Sequence, residues 1–458
     1  MQKNLLLFIF LLSSTLAFPQ TECKVYSPQA LAEDMDFFYS KVTPVHPLLF
    51  ERIYKFKWNR DFTFAKSQLV NDLSIDDFYK ILAPLLASLG DASTVIKLPE
   101  EDSVQMSRMV FPLSIKIKND KIFAANFYYQ KKKTILEKGE EIAEINGITS
   151  EEILKDLRKY VSGNTISVKN ITVEENFRTF FAMRYGFYEK YNVLIKRVEK
   201  DVTIAMNGIP EKNITMKNTL QEQAKKKPYA FAVDTARDCV IFTIRSFSDT
   251  DAFNTFADSV FYLIKEKQIQ HLIIDVRNNI GGKNATLDSL MNYIALKPYQ
   301  QYRKTVVRTS DELKAYYEVN APEKYAEFKR FPIEKLIVFL GEKVEPHAKD
   351  NRFTGDIYVW TNDLTSGMAA TFAGVIKKLK RGKIIGTETG GTIVYYGESL
   401  YYTLPHTGLK FYVSPKRFMQ YGNPDSDRGV IPDYKVADKN NDIELFTYDL
   451  MDNNKDKK

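Results

Sequence analysis

The chain is short of the residue types on which several kinds of protein depend. Two cysteines and four histidines in 458 residues leave little for a disulfide framework or a metal centre. The histidines (His46, His271, His347, His406) lie far apart, without metal-ligand spacing. Of the cysteines, Cys23 stands near the start and Cys239 inside the apolar "DCVIFTI". One pair in so large a chain builds no disulfide scaffold, and Cys239 reads as a small buried hydrophobe. No metal or other cofactor is expected. Charge is also unsegregated: 65 Lys and Arg against 58 Asp and Glu are mixed along the chain. Without a basic stripe carrying interleaved aromatics, nucleic-acid binding is not expected.

Long apolar runs are equally scarce. The one at the start, "LLLFIFLLSSTLAF" after "MQKN" and before "PQTEC", has the charged, apolar, then polar order of a secretory signal over residues 1–20. It is short for a membrane span, and no transmembrane helix is expected elsewhere. The reading is a periplasmic or secreted protein. With 44% hydrophobic and 13% aromatic residues, the rest can bury a large core.

Residues 24–100 read as a helical N-terminal domain. "SPQALAEDMDFFYSKV" has helical apolar spacing after a Ser-Pro start, and "SIDDFYKILAPLLASL" opens on a Ser-x-x-Asp cap. Residues 101–228 form a mixed α+β segment. "FPLSIKIKNDKIFAANFYY" alternates on both sides of Asn119-Asp120-Lys121 as a hairpin does, and "EEIAEINGITSEEILKDLRKYV" gives a strand, an Asn-Gly turn and a helix capped by Thr149 with Glu152. From 229 to 436 short apolar strands ("VIFTIRSF", "HLIIDV", "LIVFLG", "DIYVWT", "KIIGT") alternate with helices, the pattern of an α/β layer with a largely parallel sheet. Residues 437–458, ending "DLMDNNKDKK", read as a loose tail.

Within the α/β region, "NDLTSGMAATF" places Ser366 where a strand turns into an Ala-rich helix. Such a joint exposes a hydroxyl at the positive end of a helix dipole, with the Gly367 N–H as an oxyanion donor. A second donor fits "DVRNNIGG", where a buried strand runs into Gly281-Gly282. The same residues also suit a plain helix cap and a plain turn, so taken singly they leave both readings open.

In order, "DVRNNIGG", "TNDLTSGMAATFAG", "IIGTETGG" and "RGVIPD" resemble the C-terminal processing peptidases, also called tail-specific proteases. The resemblance is nearest to the branch with the tricorn core protease and secreted bacterial relatives. "EDMDFFYSKVTPVHPLLF" and "LGDAST" resemble the N-terminal region of that branch. The resemblance implies a ClpP/crotonase-like α/β core, peptide or protein substrates, Ser366 as nucleophile, and Gly281, Gly282 and Gly367 at the oxyanion hole. It also exposes departures. Ser93 stands where one branch carries its catalytic histidine, and Thr392 about where the other carries its lysine. Ala369 replaces a glutamate, and Ser426, flanked by Asp425 and Asp427, replaces an acidic residue. The expectation is therefore weak or lost proteolysis, with an active endopeptidase using Lys283 as an unorthodox base as the alternative. "EEIAEINGITSEEILKDL" resembles only the central part of the PDZ domain that such peptidases often carry.

Overall fold

The computed structural model describes residues 24–99, 108–130, 133–211, 227–347, 349–420, 428–437 and 442–455. The signal-like residues 1–20, Cys23 and the 425–427 stretch lie outside them.

A six-stranded sheet forms the centre. Its spatial order is Tyr229–Asp234, Cys239–Ile244, His271–Asp275, Asp356–Thr361, Lys383–Gly386, Tyr434–Lys435. The first pair is antiparallel and the remaining four pairings are parallel. Every residue of His271–Asp275 is buried, as expected of a strand covered on both faces. Leu272, Ile274, Ile357, Val359 and Ile384 pack on one face against helices Thr250–Glu266, Asn284–Ile294 and Met368–Leu379. Ile273, Tyr358, Trp360, Ile385 and Cys239 point the other way. Burial pushes the free Cys239 thiol up to about 12, so it packs as a hydrophobe.

That second face corrects the reading of a loose tail. Asp442–Lys455 is a helix whose Ile443, Thr447 and Met451 are buried against the sheet, with Thr447 accepting a hydrogen bond from Trp360 Nε1 at 2.9 Å. The apolar stripe begins at Ile443, upstream of "DLMDNNKDKK", so the final residues read alone hide it.

"LIVFLG" is a second correction. Leu336–Leu340 is the edge of a separate antiparallel sheet ordered Leu336–Leu340, Lys304–Arg308, Lys416–Met419, Val394–Gly397. Its side chains are only partly covered, unlike a central parallel strand.

Local signals elsewhere give the elements they encode. Ser27 caps Pro28–Val45 and Ser74 caps Ile75–Ala87. Ile115–Lys118 and Lys121–Ala124 pair across Asn119 and Asp120, both at positive φ, as a two-residue hairpin turn requires. Thr149 and Glu152 form a reciprocal capping box on Ser150–Leu157.

Among the ties that join the N-terminal helices to the remainder are one buried carboxylate, one small sheet and the buried Arg308, whose Nη1 donates to the Thr43 and His46 carbonyls at 2.6 and 3.1 Å. Asp34, fully buried, accepts from His406 N–H (2.8 Å), Thr407 N–H (2.9 Å) and Thr407 Oγ1 (2.6 Å). The hairpin Leu400–Thr403/Lys410–Val413 that carries these donors also pairs with Val95–Ile96. The loop just before Val95 is thereby drawn toward the core. We expect Asp34→Ala to cost about 3 kcal/mol of stability, because two buried donors on Thr407 and the part-buried His406 N–H lose their acceptor. Urea unfolding measures this, and a loss below about 1 kcal/mol would show that the donors find other partners.

Candidate active site

Two loops at the C-terminal ends of adjacent parallel strands lock together, where open α/β sheets form their crevice. Asn362, just past Thr361, accepts from Asn278 N–H on Oδ1 (3.0 Å) and donates from Nδ2 to Asn278 Oδ1 (3.0 Å). Thr365 Oγ1 donates to the Val276 carbonyl at 3.0 Å. Ser366 N–H donates to the Asn279 carbonyl at 2.9 Å. Both loops are held at several points around the serine.

Ser366 does not cap the helix that follows. The N-cap of Met368–Leu379 is Gly367, at φ 53° and ψ −130°, and no side chain caps it. Among the described residues the half-buried Ser366 hydroxyl has no hydrogen-bond partner, and neither has the Gly367 N–H. Gly367 is required for two reasons: its φ disfavours a side chain, and a Cβ would sit 2.7 Å from the Ile280 carbonyl oxygen.

The second glycine pair behaves differently from the expected donor loop. Gly281 N–H already donates to Asn279 Oδ1 at 2.8 Å. A Cβ at Gly281 would lie 2.7 Å from Met368 N, and one at Gly282 would lie 2.2 Å from the Phe247 carbonyl carbon. These glycines allow close backbone approach. The Gly281 amide is occupied by a buried asparagine that the sequence reading did not single out.

A cavity of about 180 Å³ brings Ser366 and Gly367 together with Ser93, Thr392, Tyr395 and Asn164. Ser93 and Thr392 thus line one space with the serine. Their hydroxyls are engaged. Ser93 Oγ donates to the Tyr396 carbonyl at 2.9 Å, while its N–H donates to Asp91 Oδ1 at 2.7 Å. Thr392 Oγ1 donates to the Val394 carbonyl and accepts from Asn164 Nδ2 at 2.5 Å. Asp91, also on the wall, faces His46 Nε2 at 3.3 Å in a buried pair, and the His46 ring lies tilted by 31° with its centroid 4.8 Å from that of Tyr396, without lining the cavity. Burial pushes the Tyr395 and Tyr396 phenols well above their ordinary range, so both stay protonated.

Lys283 is exposed at the start of Asn284–Ile294, with its N–H on the Phe247 carbonyl, and is not among the cavity's lining residues. His406 pairs with Glu33 on the distant hairpin turn. Asn164 and Val168 arrive from the middle segment, and Thr165 Oγ1 donates to the Gly390 carbonyl at 3.1 Å, so that segment closes one side of the cavity. Asn164 reads in sequence as an ordinary loop residue before a helix cap, and nothing local marks it. Among the described residues no group of His, Cys, Asp and Glu is arranged to hold a metal, and no helix is long and apolar enough to cross a membrane.

A mixed fold with a parallel central sheet, and a serine on a glycine-capped strand-to-helix turn, is the framework of serine-type peptidases of the ClpP-like class. Residues 238–436 match the model of Peptidase family S41, so this core is similar to the peptidases of that family. The crystal structure of mature CPAF superposes with a TM-score of 0.62 at 16% identity, covering 93% of this chain and 96% of that one. The photosystem II D1 C-terminal processing protease gives 0.45 at 14% identity, over 91% and 94%. A putative peptidase from Parabacteroides merdae gives 0.48 at 14%, over 93% and 97%. At such identities the likeness is one of fold. A comparison with curated protein sequences finds no match.

Gly391 backs directly onto the serine turn: a Cβ there would lie 2.7 Å from Ser366 Cα and 3.0 Å from Gly367 N. Both neighbours are backbone and cannot swing aside. Gly391→Ala is expected to cost about 2 kcal/mol by overpacking, read as a lowered thermal midpoint.

The "TETGG" and "RGVIPD" stretches meet through Glu388, whose carboxylate takes charged hydrogen bonds from Arg428 and one from Gly429 N–H at 2.9 Å. Arg428 first, then the Gly429 amide, hold its carboxyl below the ordinary range against the opposing effect of burial. Stability from this contact is present above the ordinary glutamate pKa of about 4.3 and is lost as pH falls through the lower folded value. Glu388→Gln should flatten the acid limb of a stability–pH curve in that window.

Proposed function

We propose that this protein is a secreted or periplasmic member of the processing-peptidase family that binds extended peptides in the Ser366 cavity and hydrolyses them weakly or not at all. One observation carries the reading: the hydroxyls at both base positions, Ser93 and Thr392, are bonded to backbone carbonyls, and the cavity's lining includes no histidine or lysine. A general base must reach the hydroxyl within about 2.6–3.2 Å or through one water. Asp91 is the remaining ionisable group on the wall besides the tyrosines, and it is engaged by Ser93 N–H and His46. The residue roles follow from this: Ser366 in the nucleophile position, Gly367 N–H as the oxyanion donor, Ser93 and Thr392 as structural hydroxyls. Oxyanion stabilisation and binding without a base sustain roughly 10³-fold to 10⁴-fold acceleration, little against the slow background of peptide hydrolysis. The exposure of Lys283 removes support from a lysine-assisted mechanism.

Fluorophosphonate treatment of the purified protein beside Ser366→Ala, followed by peptide mass spectrometry, tests this. The expected result is no modification of Ser366 in folded protein, together with saturable binding of fluorescent peptide pools. Modification confined to Ser366 would establish an activated nucleophile and overturn the reading. Ser93→His, which puts an imidazole on the cavity wall beside Asp91, is expected to raise labelling above the wild-type level.

A further inference from the structure

A second cavity, of about 420 Å³, is lined by the sheet Leu336–Leu340/Lys304–Arg308/Lys416–Met419 and by helices Asn284–Ile294 and Pro322–Phe328. Phe328, Phe339 and Phe418 give it aromatic walls. Its polar groups are unevenly matched. The Asp288 carboxylate is held by two neutral donors, Tyr299 Oη and Gln301 Nε2, and among the described residues no cation pairs with it. Gln301 also lines the cavity and is only 7% exposed, yet its Oε1 accepts no hydrogen bond there. The two ammonium groups of the lining, Lys416 and Lys324, both go to Glu398, at 2.7 and 3.5 Å. Glu327 and Glu342 stand exposed on the lining without an ion-pair partner among the described residues.

Four carboxylates therefore share two ammonium groups, around an apolar space with an unused acceptor. That combination complements a cation bearing N–H donors on an aliphatic stem: the rings cover the stem, Asp288 meets the charge, and Gln301 Oε1 takes a donor. We propose that this cavity binds an alkylguanidinium or alkylammonium group, the chemistry of an arginine or lysine side chain. Its position names the source. Tyr302, on its wall, lies 2.9 Å (Oη to Oη) from Tyr395 of the Ser366 cavity, and its Oη is 3.8 Å from the sulfur of Met368. The occupant is then the basic side chain of a peptide lying across Ser366, an assignment that rests on the peptide-binding reading above.

The test uses the full chain carrying Ser366→Ala. Calorimetric titration with n-butylguanidinium, and with n-butanol as the uncharged control, reads the cavity itself. Fluorescent octapeptide pools, randomised except for a central arginine or its neutral isostere citrulline, read the peptide. The expected result is one saturable site for n-butylguanidinium, at least about tenfold tighter than n-butanol, with Asp288→Asn weakening it about tenfold. Glu327→Gln, at an exposed position with no fold-dependent contact, should weaken it by about threefold, and n-butylguanidinium should displace the arginine pool. No preference over n-butanol, or affinity unchanged by Asp288→Asn in protein with a wild-type circular dichroism spectrum, would overturn the proposal. Equal binding of the arginine and citrulline pools would overturn it while leaving peptide binding intact. Variant-sensitive butylguanidinium binding with no binding of either pool would support the cation site and remove the peptide reading of Ser366.

Discussion

Asn279 is the contact on which the geometry around the serine depends. It is fully buried, and its groups reach three parts of the core. Nδ2 donates to the Ile244 carbonyl at 2.9 Å, Oδ1 accepts from Gly281 N–H at 2.8 Å, and its carbonyl accepts from Ser366 N–H at 2.9 Å. A buried amide is costly unless satisfied, so the side chain fixes where a neighbouring strand and the glycine loop lie, while the main-chain carbonyl of the same residue fixes the serine turn. The reciprocal Asn278–Asn362 pair repeats the device one residue away. With both loops clamped, the Ser366 hydroxyl is left unused by the framework.

Other regions then complete the space in front of that hydroxyl. The N-terminal helices bring the "LGDAST" loop, through Asp34 and the pairing of Val95–Ile96 with Lys410–Val413. Ser399 Oγ donates to the Ser93 carbonyl at 2.7 Å, fixing that loop against the hairpin. The middle segment brings Asn164, hydrogen-bonded to Thr392. A site assembled from three distant regions loses its shape when any one shifts, which explains the density of polar ties between them. The Ser93 and Thr392 hydroxyls, each bonded to a backbone carbonyl, are among these ties. A hydroxyl that bonds a nearby carbonyl keeps the loop in place without supplying a base.

Electrostatics divides the two cavities. The one at Ser366 is lined by hydroxyls, tyrosines held protonated by burial and a carboxylate already engaged. The one beyond Tyr302 carries surplus negative charge between aromatic walls. Burial raises the Tyr302 phenol to about 12 and its hydrogen bonds oppose this only in part, so the Tyr302–Tyr395 contact joins the two spaces through neutral groups.

Much of this was legible in the amino-acid order, wherever the determining contact spans a few residues. Ser74, Thr149 with Glu152, and Asn119-Asp120 each satisfy backbone groups within three or four positions, so caps and turns follow from local chemistry. The strand His271–Asp275 announced its burial by its unbroken apolar centre, Leu272-Ile273-Ile274. Motif order also singled out Ser366, Ser93 and Thr392, which line one cavity. Only the folded chain decided that Ser366 is no cap, that the Gly281 amide is occupied, and that Asn279 and Asn164 matter. The same holds for the C-terminal helix covering a sheet face and for Leu336–Leu340 joining a separate sheet. In each case the partner lies tens to hundreds of residues away, and a side chain's hydrogen-bond capacity is written in the sequence while the group that uses it is set by packing.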